Sequence, residues 1–316
     1  MTATSAPSVA RIPVLTKVMG FLQLGKIRIY HHAYGWLLAV LLLRLDGLVT
    51  TATAAALVLL LVMVETGQWS GGAWDDIGGY RDGSDARNYA GRPARTVAKK
   101  PLLTGVLTES EAVVFGIVCW VVSVTCTLLA AYLLDGRAPL VAVLLMLAVQ
   151  VAAVQYSAGL KLSYRPLGLE TTIFFVIGSI ALMPYWFVAG GLNREILITS
   201  ALFGLWFLMV VNYGNASDRE GDRSVSRHTL AVMLPPERFR IVLVTLLAAE
   251  VTLLTLLFTV TRTNPVLALA AVPVVALHSV QLYHGIRGKD WRKARLLGLF
   301  SLDAGCLGLA LAFLLS

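Results

Sequence analysis

Nine stretches of this 316-residue chain stay apolar long enough to cross about 30 Å of hydrocarbon, at roughly 20 residues each. They fall near 30–49, 51–72, 112–134, 138–157, 169–191, 196–214, 239–261, 264–284 and 296–315. Only helices and closed barrels pair every backbone group within lipid, and runs of this length are helices. The pattern predicts an all-α polytopic membrane protein with nine transmembrane helices. Composition agrees: 57% of residues are hydrophobic, against about 45–50% in an ordinary soluble domain. Residues 1–20 read as an N-terminal arm, with Met1 to Pro13 rich in Ala, Ser and Thr and disordered, and without a signal-peptide pattern. Residues 21–316 read as a single transmembrane domain.

The polar intervals alternate in charge. Basic residues collect in the N-terminal arm (Arg11, Lys17, Lys26, Arg28) and in the loops after spans 2, 4, 6 and 8. Of the 26 lysines and arginines, only Arg44, Arg137, Arg194 and Arg262 fall on the other side. The positive-inside rule therefore predicts a multi-pass cell-membrane protein with a cytoplasmic N-terminus and an outside C-terminus. The net charge of +8 reads as membrane orientation rather than nucleic-acid binding. Cys119, Cys126 and Cys306 lie in apolar segments without metal-ligand spacing and read as small buried hydrophobes.

Two acidic clusters end apolar segments on the predicted cytoplasmic side. One holds Asp75, Asp76, Asp82 and Asp85; the other runs Gly214-Asn215-Ala216-Ser217-Asp218-Arg219-Glu220-Gly221-Asp222. They are four spans apart, which hints at two related four-helix halves plus one helix. On a continuous helix Asn215, Asp218 and Asp222 (i, i+3, i+7) share one face, with Glu220 pointing elsewhere and solvated. Arg219, Arg223 and Arg227 are close enough to hold phosphate oxygens. Gly71, Gly72, Gly78, Gly79 and Gly83 predict that the first helix ends near Asp76 and continues as a mobile glycine-rich loop, which brings Arg81 to a phosphate. Mg²⁺ takes oxygen ligands and is commonly shared between a few carboxylates and a substrate phosphate. The clusters therefore read as a divalent-cation cage for a lipid diphosphate, with Asp75, Asp76, Asp82, Asp85, Asn215, Asp218 and Asp222 as candidate ligands. A third constellation, Tyr156 to Glu170, adds Lys161 and Arg165 as candidate phosphate contacts.

These motifs resemble the UbiA superfamily of intramembrane prenyltransferases, over nearly the whole chain from about residue 20. That family carries an Asn-Asp-x-x-Asp-x-x-x-Asp pattern followed by a basic residue and Thr-Leu-Ala-Val. Here Asn215, Asp218 and Asp222 take the acidic positions and Arg227-His228-Thr229-Leu230-Ala231-Val232 follows. Residues 161–170 resemble the family's Gly-Pro-x-x-Leu-x-Tyr-Arg-Gly-Leu-Gly-Glu stretch, and Lys100-Pro101-Leu102-Leu103-Thr104-Gly105 resembles its Arg-Pro-Leu-x-Ser-Gly. The first acidic motif departs: with Asp75-Asp76 on the Asn-Asp pair, Gly79 and Gly83 fall where the next two aspartates belong, and Asp82 and Asp85 flank the last position.

The resemblance implies nine helices around a central cavity, capped by cytoplasmic loops, with Mg²⁺ as cofactor and a prenyl diphosphate as substrate. Asp75, Asp76, Asp218 and Asp222 become the catalytic carboxylates, and Arg81, Lys161, Arg165, Arg223, Arg227 and Tyr156 the substrate contacts. Ionisation of the allylic C–O bond would give a carbocation in a water-poor pocket. Capture by an aromatic or other lipid-soluble acceptor makes the chain a prenyltransferase. Attack on the substrate's own alkenes makes it a terpene cyclase. Trp69, Trp74, Tyr185, Trp186, Phe187, Trp206 and Phe207 read either as interface anchors or as cation–π partners. A transporter or lipid-binding protein would explain the spans but not paired acidic clusters beside arginines. Glu65, Glu250, His278 and Asp303 fall at membrane depth, where ionisable groups default to functional candidates. Of these, Glu65 is placed to reach the cavity floor from the Asp75 helix.

Overall fold

The computed structural model describes residues 12–261 and 263–316, and these contain helices and turns without a strand. The helices are α1 (Val14–Leu24), α2 (His32–Leu45), α3 (Thr51–Arg81), α4 (Ser84–Tyr89), α5 (Ala94–Val97), α6 (Glu109–Leu133), α7 (Leu140–Gln155), α8 (Gly168–Ala189), α9 (Arg194–Ser217), α10 (Arg219–Ser224), α11 (Leu230–Met233), α12 (Pro236–Val260), α13 (Val272–Ile286) and α14 (Trp291–Leu315). Seven segments are long and apolar enough to cross a membrane: α3, α6, α8, α9, α12, α14, and α13 together with the 3₁₀ turns before it, Pro265–Ile286. The other two predicted spans appear as α2 and α7, of 14 and 16 residues. At 1.5 Å per residue they cover about 21 and 24 Å, short of a full crossing. All nine predicted spans are thus helical among the described residues, seven of them full-length and two shorter.

The predicted N-terminal arm is partly ordered. Residues 14–20 belong to α1, which docks through Leu24 and Phe21 onto a small core of Ala73, Ile77, Leu102, Leu107 and Ala112. Phe21 stacks on Phe115 at 5.3 Å, and Lys17 pairs with Glu111. Arg11, Arg262 and most of the Met1–Pro13 stretch lie outside the described residues.

Helix ends follow local chemistry. Thr50 and Thr108 form capping boxes with Thr53 and Glu111, and Asn193 caps α9 through Ile196 N–H. Helix pairs approach through small residues, as is usual where lipid removes the hydrophobic drive between helices. Ser70 Oγ donates to the Gly116 carbonyl at 2.9 Å, and Ser123 Oγ to that of Met63 at 2.9 Å, joining α3 to α6. Ser200 Oγ donates to the Gly178 carbonyl at 2.8 Å, joining α9 to α8.

Helix α9 is the most enclosed: 78% of its most apolar window is buried, against 28% for α12 and 22% for α13. Its Phe203 and Trp206 are fully buried in the main core. Its C-terminal end carries Asn215, with Asp218 just beyond it.

Three ionisable groups at membrane depth meet polar partners. Glu250 accepts from Trp206 Nε1 at 2.8 Å and meets His278 Nδ1 at 2.8 Å, both acidic and imidazole groups being fully buried. Asp303 lies 3.3 Å from His31 Nε2. Glu65 is half-buried on α3. The three cysteines are buried and free.

Close crossing at α8–α9 is testable. A Cβ at Gly204 would fall 2.5 Å from the Phe174 carbonyl oxygen. Gly204→Ala is therefore expected to cost about 1–3 kcal/mol and to lower the unfolding midpoint in detergent. Gly191→Ala, with nothing within 4 Å of its Cβ, should leave the midpoint unchanged.

Candidate active site

The two acidic clusters meet at one end of the bundle, and two local expectations are corrected there. The first concerns α3, which does not stop near Asp76 but continues as one helix to Arg81. Its glycines mark close contacts rather than a loop. A Cβ at Gly72 would sit 3.1 Å from the Leu24 carbonyl, and one at Gly78 would sit 3.1 Å from Ser157. At Gly79 it would lie 2.8 Å from the Asp85 carboxyl carbon. The cost of glycine in a helix, about 0.5–1 kcal/mol against alanine, is offset by what comes close. The turn follows at Gly83, whose φ of +73° suits glycine; α4 then folds back and aims Asp85 at α3.

The second correction concerns residues 215–222, which are not one continuous helix. α9 ends at Ser217, and Asp218, at φ −107° and ψ 11°, joins it to α10. Asp222 N–H still bonds the Asp218 carbonyl at 3.0 Å, so the two aspartates stay one turn apart. A Cβ at Gly221 would overlap the Asn88 side chain, so α10 rests directly on α4.

Each carboxylate has identified partners. Asp75 faces Lys26 Nζ at 2.6 Å, Ser157 Oγ at 3.0 Å and Arg227 Nη2 at 3.4 Å. Asp76, only 3% exposed, meets Lys100 Nζ at 2.9 Å and Lys26 Nζ at 3.6 Å. The same Lys100 Nζ reaches Asp85 at 2.8 Å. Asp82 accepts from Ser84 N–H at 2.8 Å and from the Tyr164 hydroxyl. Asp218 accepts from Arg92 Nη2 at 3.0 Å and from Ser217 Oγ at 3.1 Å. Asp222 is 2% exposed, and its ion-pair partner is Arg227 Nη1 at 3.8 Å. Arg227 thus spans both clusters, under the Tyr164 ring at 5.2 Å. Among the described residues no three acidic, histidine or cysteine side chains converge to hold an ion; lysine and arginine lie between them instead.

The charges respond accordingly. Burial opposes the charge on Lys26 and Lys100, but Asp75 and Asp76 outweigh it for Lys26, and Asp76, Asp85 and Asp75 for Lys100, so both ammoniums are raised above the ordinary lysine value. Burial lifts Asp85, with Lys100 pulling the other way. Asp82 would also be lifted by burial, but its hydrogen bonds from Tyr164 and Ser84 hold it below the ordinary value. Asp222 is pushed up to about 7 by burial, against the pull of Arg227 and with the help of neighbouring Asp218. Its one cation, Arg227, stands off at 3.8 Å.

The other candidates divide. Tyr156 is half-buried and lies within electrostatic reach of Arg227, Asp75 and Asp222. Asn215 is half-buried, and its Nδ2 is buried without a partner, as is Arg227 Nε. Arg81 turns away to Glu109 at 2.7 Å. Lys161 is exposed and packs on Tyr164 at 5.2 Å. Together Arg81 and Lys161 border a separate cavity of about 140 Å³ behind Ser157 and Gly78. Arg165 is exposed with its Nε on the Leu160 carbonyl, and Arg223 is exposed. Sequence reasoning did not assign Lys26, Arg92 or Lys100 to the site. Only Lys100 had a signal, its Lys-Pro-Leu stretch.

Four of the predicted aromatic cation partners have other contacts. Trp206 is tied to Glu250, and Tyr185 bonds Asp46 at 2.5 Å. Trp69 stacks on Phe115 at 6.4 Å. Phe207 packs against His32 at 4.9 Å.

No curated protein sequence matches this chain. The fold matches solved structures along nearly its whole length. The apo structure of a UbiA homologue from Aeropyrum pernix K1 superposes with a TM-score of 0.66 at 18% identity, covering 96% of this chain and 99% of that one. Digeranylgeranylglyceryl phosphate synthase gives 0.64 at 14% identity, with 95% and 99% covered. A UbiA homologue from Archaeoglobus fulgidus bound to DMAPP and Mg²⁺ gives 0.60 at 15% identity, with 92% and 98% covered. Those identities establish a shared fold. The family model for UbiA prenyltransferases matches residues 27–302, and the chain belongs to the UbiA prenyltransferase family.

Proposed function

We propose that this chain is a Mg²⁺-dependent intramembrane enzyme that ionises an allylic prenyl diphosphate where its two acidic clusters meet, and transfers the prenyl group to an aromatic or other lipid-soluble acceptor. The observation that carries this reading is that Arg227 joins the two acidic clusters while part of its guanidinium is left unsatisfied. Arg227 Nε and Asn215 Nδ2 are buried donors without an acceptor, and Asp222 is a buried carboxylate whose cation stands off at 3.8 Å. A diphosphate supplies acceptors, and a divalent cation supplies charge. The oxygen donors of Asn215, Asp218 and Asp222 suit a hard ion such as Mg²⁺. Its presence beside DMAPP or GPP in homologues of the same fold supports the same pairing here.

Mg²⁺ bound there would supply Lewis-acid stabilisation of the leaving diphosphate. The chain's own residues do the rest. Arg227, anchored at both clusters, is placed to hold phosphate oxygens as charge grows on them. Ser157 and Asp75 fix its Nη2. Tyr164 covers its plane. The C–O bond breaks with its electron pair leaving on the diphosphate. The allylic cation then takes an electron pair from the acceptor, which loses a proton. The basic end that carries the site faces the cytoplasm in this reading, as the loop charges favour.

The test uses purified protein in detergent with Mg²⁺ and geranyl, farnesyl or geranylgeranyl diphosphate, with and without phenols and quinone precursors. Diphosphate release and the organic extract are followed. Prenylated acceptor, formed only when acceptor is present and lost on adding EDTA, is the expected product. Cyclic hydrocarbons or terpene alcohols formed without acceptor would instead make the chain a cyclase. Intact diphosphates under every condition would sink both. Asp218→Ala, Asp222→Ala and Arg227→Met should each lower turnover on the order of 10²–10³-fold. Arg223→Ala, at an exposed position, should stay within about threefold of wild type.

A further inference from the structure

We propose that Lys26 and Lys100 stand in the place of a metal ion at the α3 end of the site, so that the chain holds its diphosphate with a single divalent cation on the α9–α10 side. This rests on the diphosphate reading above and specifies how its charge is met.

Lys100 Nζ lies between Asp76 Oδ1 and Asp85 Oδ2, at 2.9 and 2.8 Å. One cation bridging two carboxylates is the arrangement expected of a bound ion, here made by a side chain. Lys26 does the same for Asp75 and Asp76, at 2.6 and 3.6 Å. Asp75, Asp76 and Asp85 therefore face two ammoniums and one edge of Arg227. Little negative charge is left there for a divalent ion, and any ion entering would lie against two fixed positive charges.

Both lysines are built in. Lys26 follows Leu24, and Lys100 precedes Leu102; both leucines are buried in the small core beside Ala73 and Ile77 of α3. The Lys100 ammonium also rests on the Tyr89 ring at 5.4 Å. The glycines of α3 are the counterpart of this arrangement. A Cβ at Gly72 would come within 3.4 Å of the Lys26 chain, and a Cβ at Gly79 would occupy the space of the Asp85 carboxylate. The opposite side differs. Asp222 has its guanidinium at 3.8 Å, and Asp218 is paired to Arg92 in a loop. Asp222, buried with its cation at 3.8 Å, is thus the most loosely held ion pair of the two clusters, and it lies on α10.

The experiment counts ions. Wild-type protein in detergent is titrated with Mn²⁺ in the presence of inorganic diphosphate, and bound Mn²⁺ is read by electron paramagnetic resonance. One Mn²⁺ per chain, with the spectrum of an isolated ion, is expected. Two Mn²⁺ per chain with spin coupling would overturn the proposal while leaving the diphosphate reading intact. No Mn²⁺ uptake would overturn the metal–diphosphate reading itself, and this inference with it. Lys100→Met, which frees Asp76 and Asp85, should raise the count toward two. A folded Lys100→Met protein that still binds one ion would refute the role of Lys100. Should that variant not fold, the wild-type count decides.

Discussion

A carboxylate at the edge of hydrocarbon must be given a counter-charge or a proton, because desolvation of an unpaired ion costs more than any single packing contact returns. This chain gathers Asp75, Asp76, Asp82, Asp85, Asp218 and Asp222 at one end of its bundle, and much of the local architecture answers that demand. The α1–α2 turn, the α4–α6 connection and the segment after α10 send Lys26, Lys100 and Arg227 to α3, and Arg92 goes to Asp218. Arg227 and Lys100 each touch two carboxylates, so the cap is cross-linked by charge. The cap's connecting segments are short of apolar side chains, and these ion pairs supply the order that packing alone would not.

Beneath the cap the bundle works as a rigid stand. The enclosed α9 is fixed by close crossings with α8 and α14, where Gly204 and Gly305 let a backbone carbonyl and an indole ring approach. The buried Glu250–His278–Trp206 set ties α9 to α12 and α13. Asp222 stays buried on α10 because that short helix continues from the fixed end of α9 and rests on Asn88 of α4. Burial and rigidity here are two sides of one arrangement.

Much of this was legible in the sequence, for reasons that differ by feature. Long apolar runs show the membrane helices whatever their tertiary neighbours, and the family and the all-helical fold follow from them together with the residue 215–232 motif. The glycine-rich end of α3 was misread because glycine propensity reports the isolated helix. It does not report the Leu24 carbonyl, Ser157 and Asp85 that need the room. The break at Asp218 was missed because i, i+3, i+7 spacing assumes an unbroken helix, and its bend carries no proline or glycine. α2 and α7 are short because their apolar runs extend into turns that hydropathy does not distinguish from helix. Lys26 and Arg92 were invisible as site residues: they lie 49 and 126 positions from the aspartates they meet, and no local pattern encodes such a pairing.

The contact between Gly79 and Asp85 also bears on how this chain can change over generations. Family resemblance places an aspartate at position 79, yet here its first side-chain carbon would collide with the Asp85 carboxylate. An aspartate arriving first meets an occupied space, and loss of Asp85 first leaves Lys100 with one partner fewer. Positions 79 and 85 are thus coupled through Lys100, and a change at one alters what the other can hold.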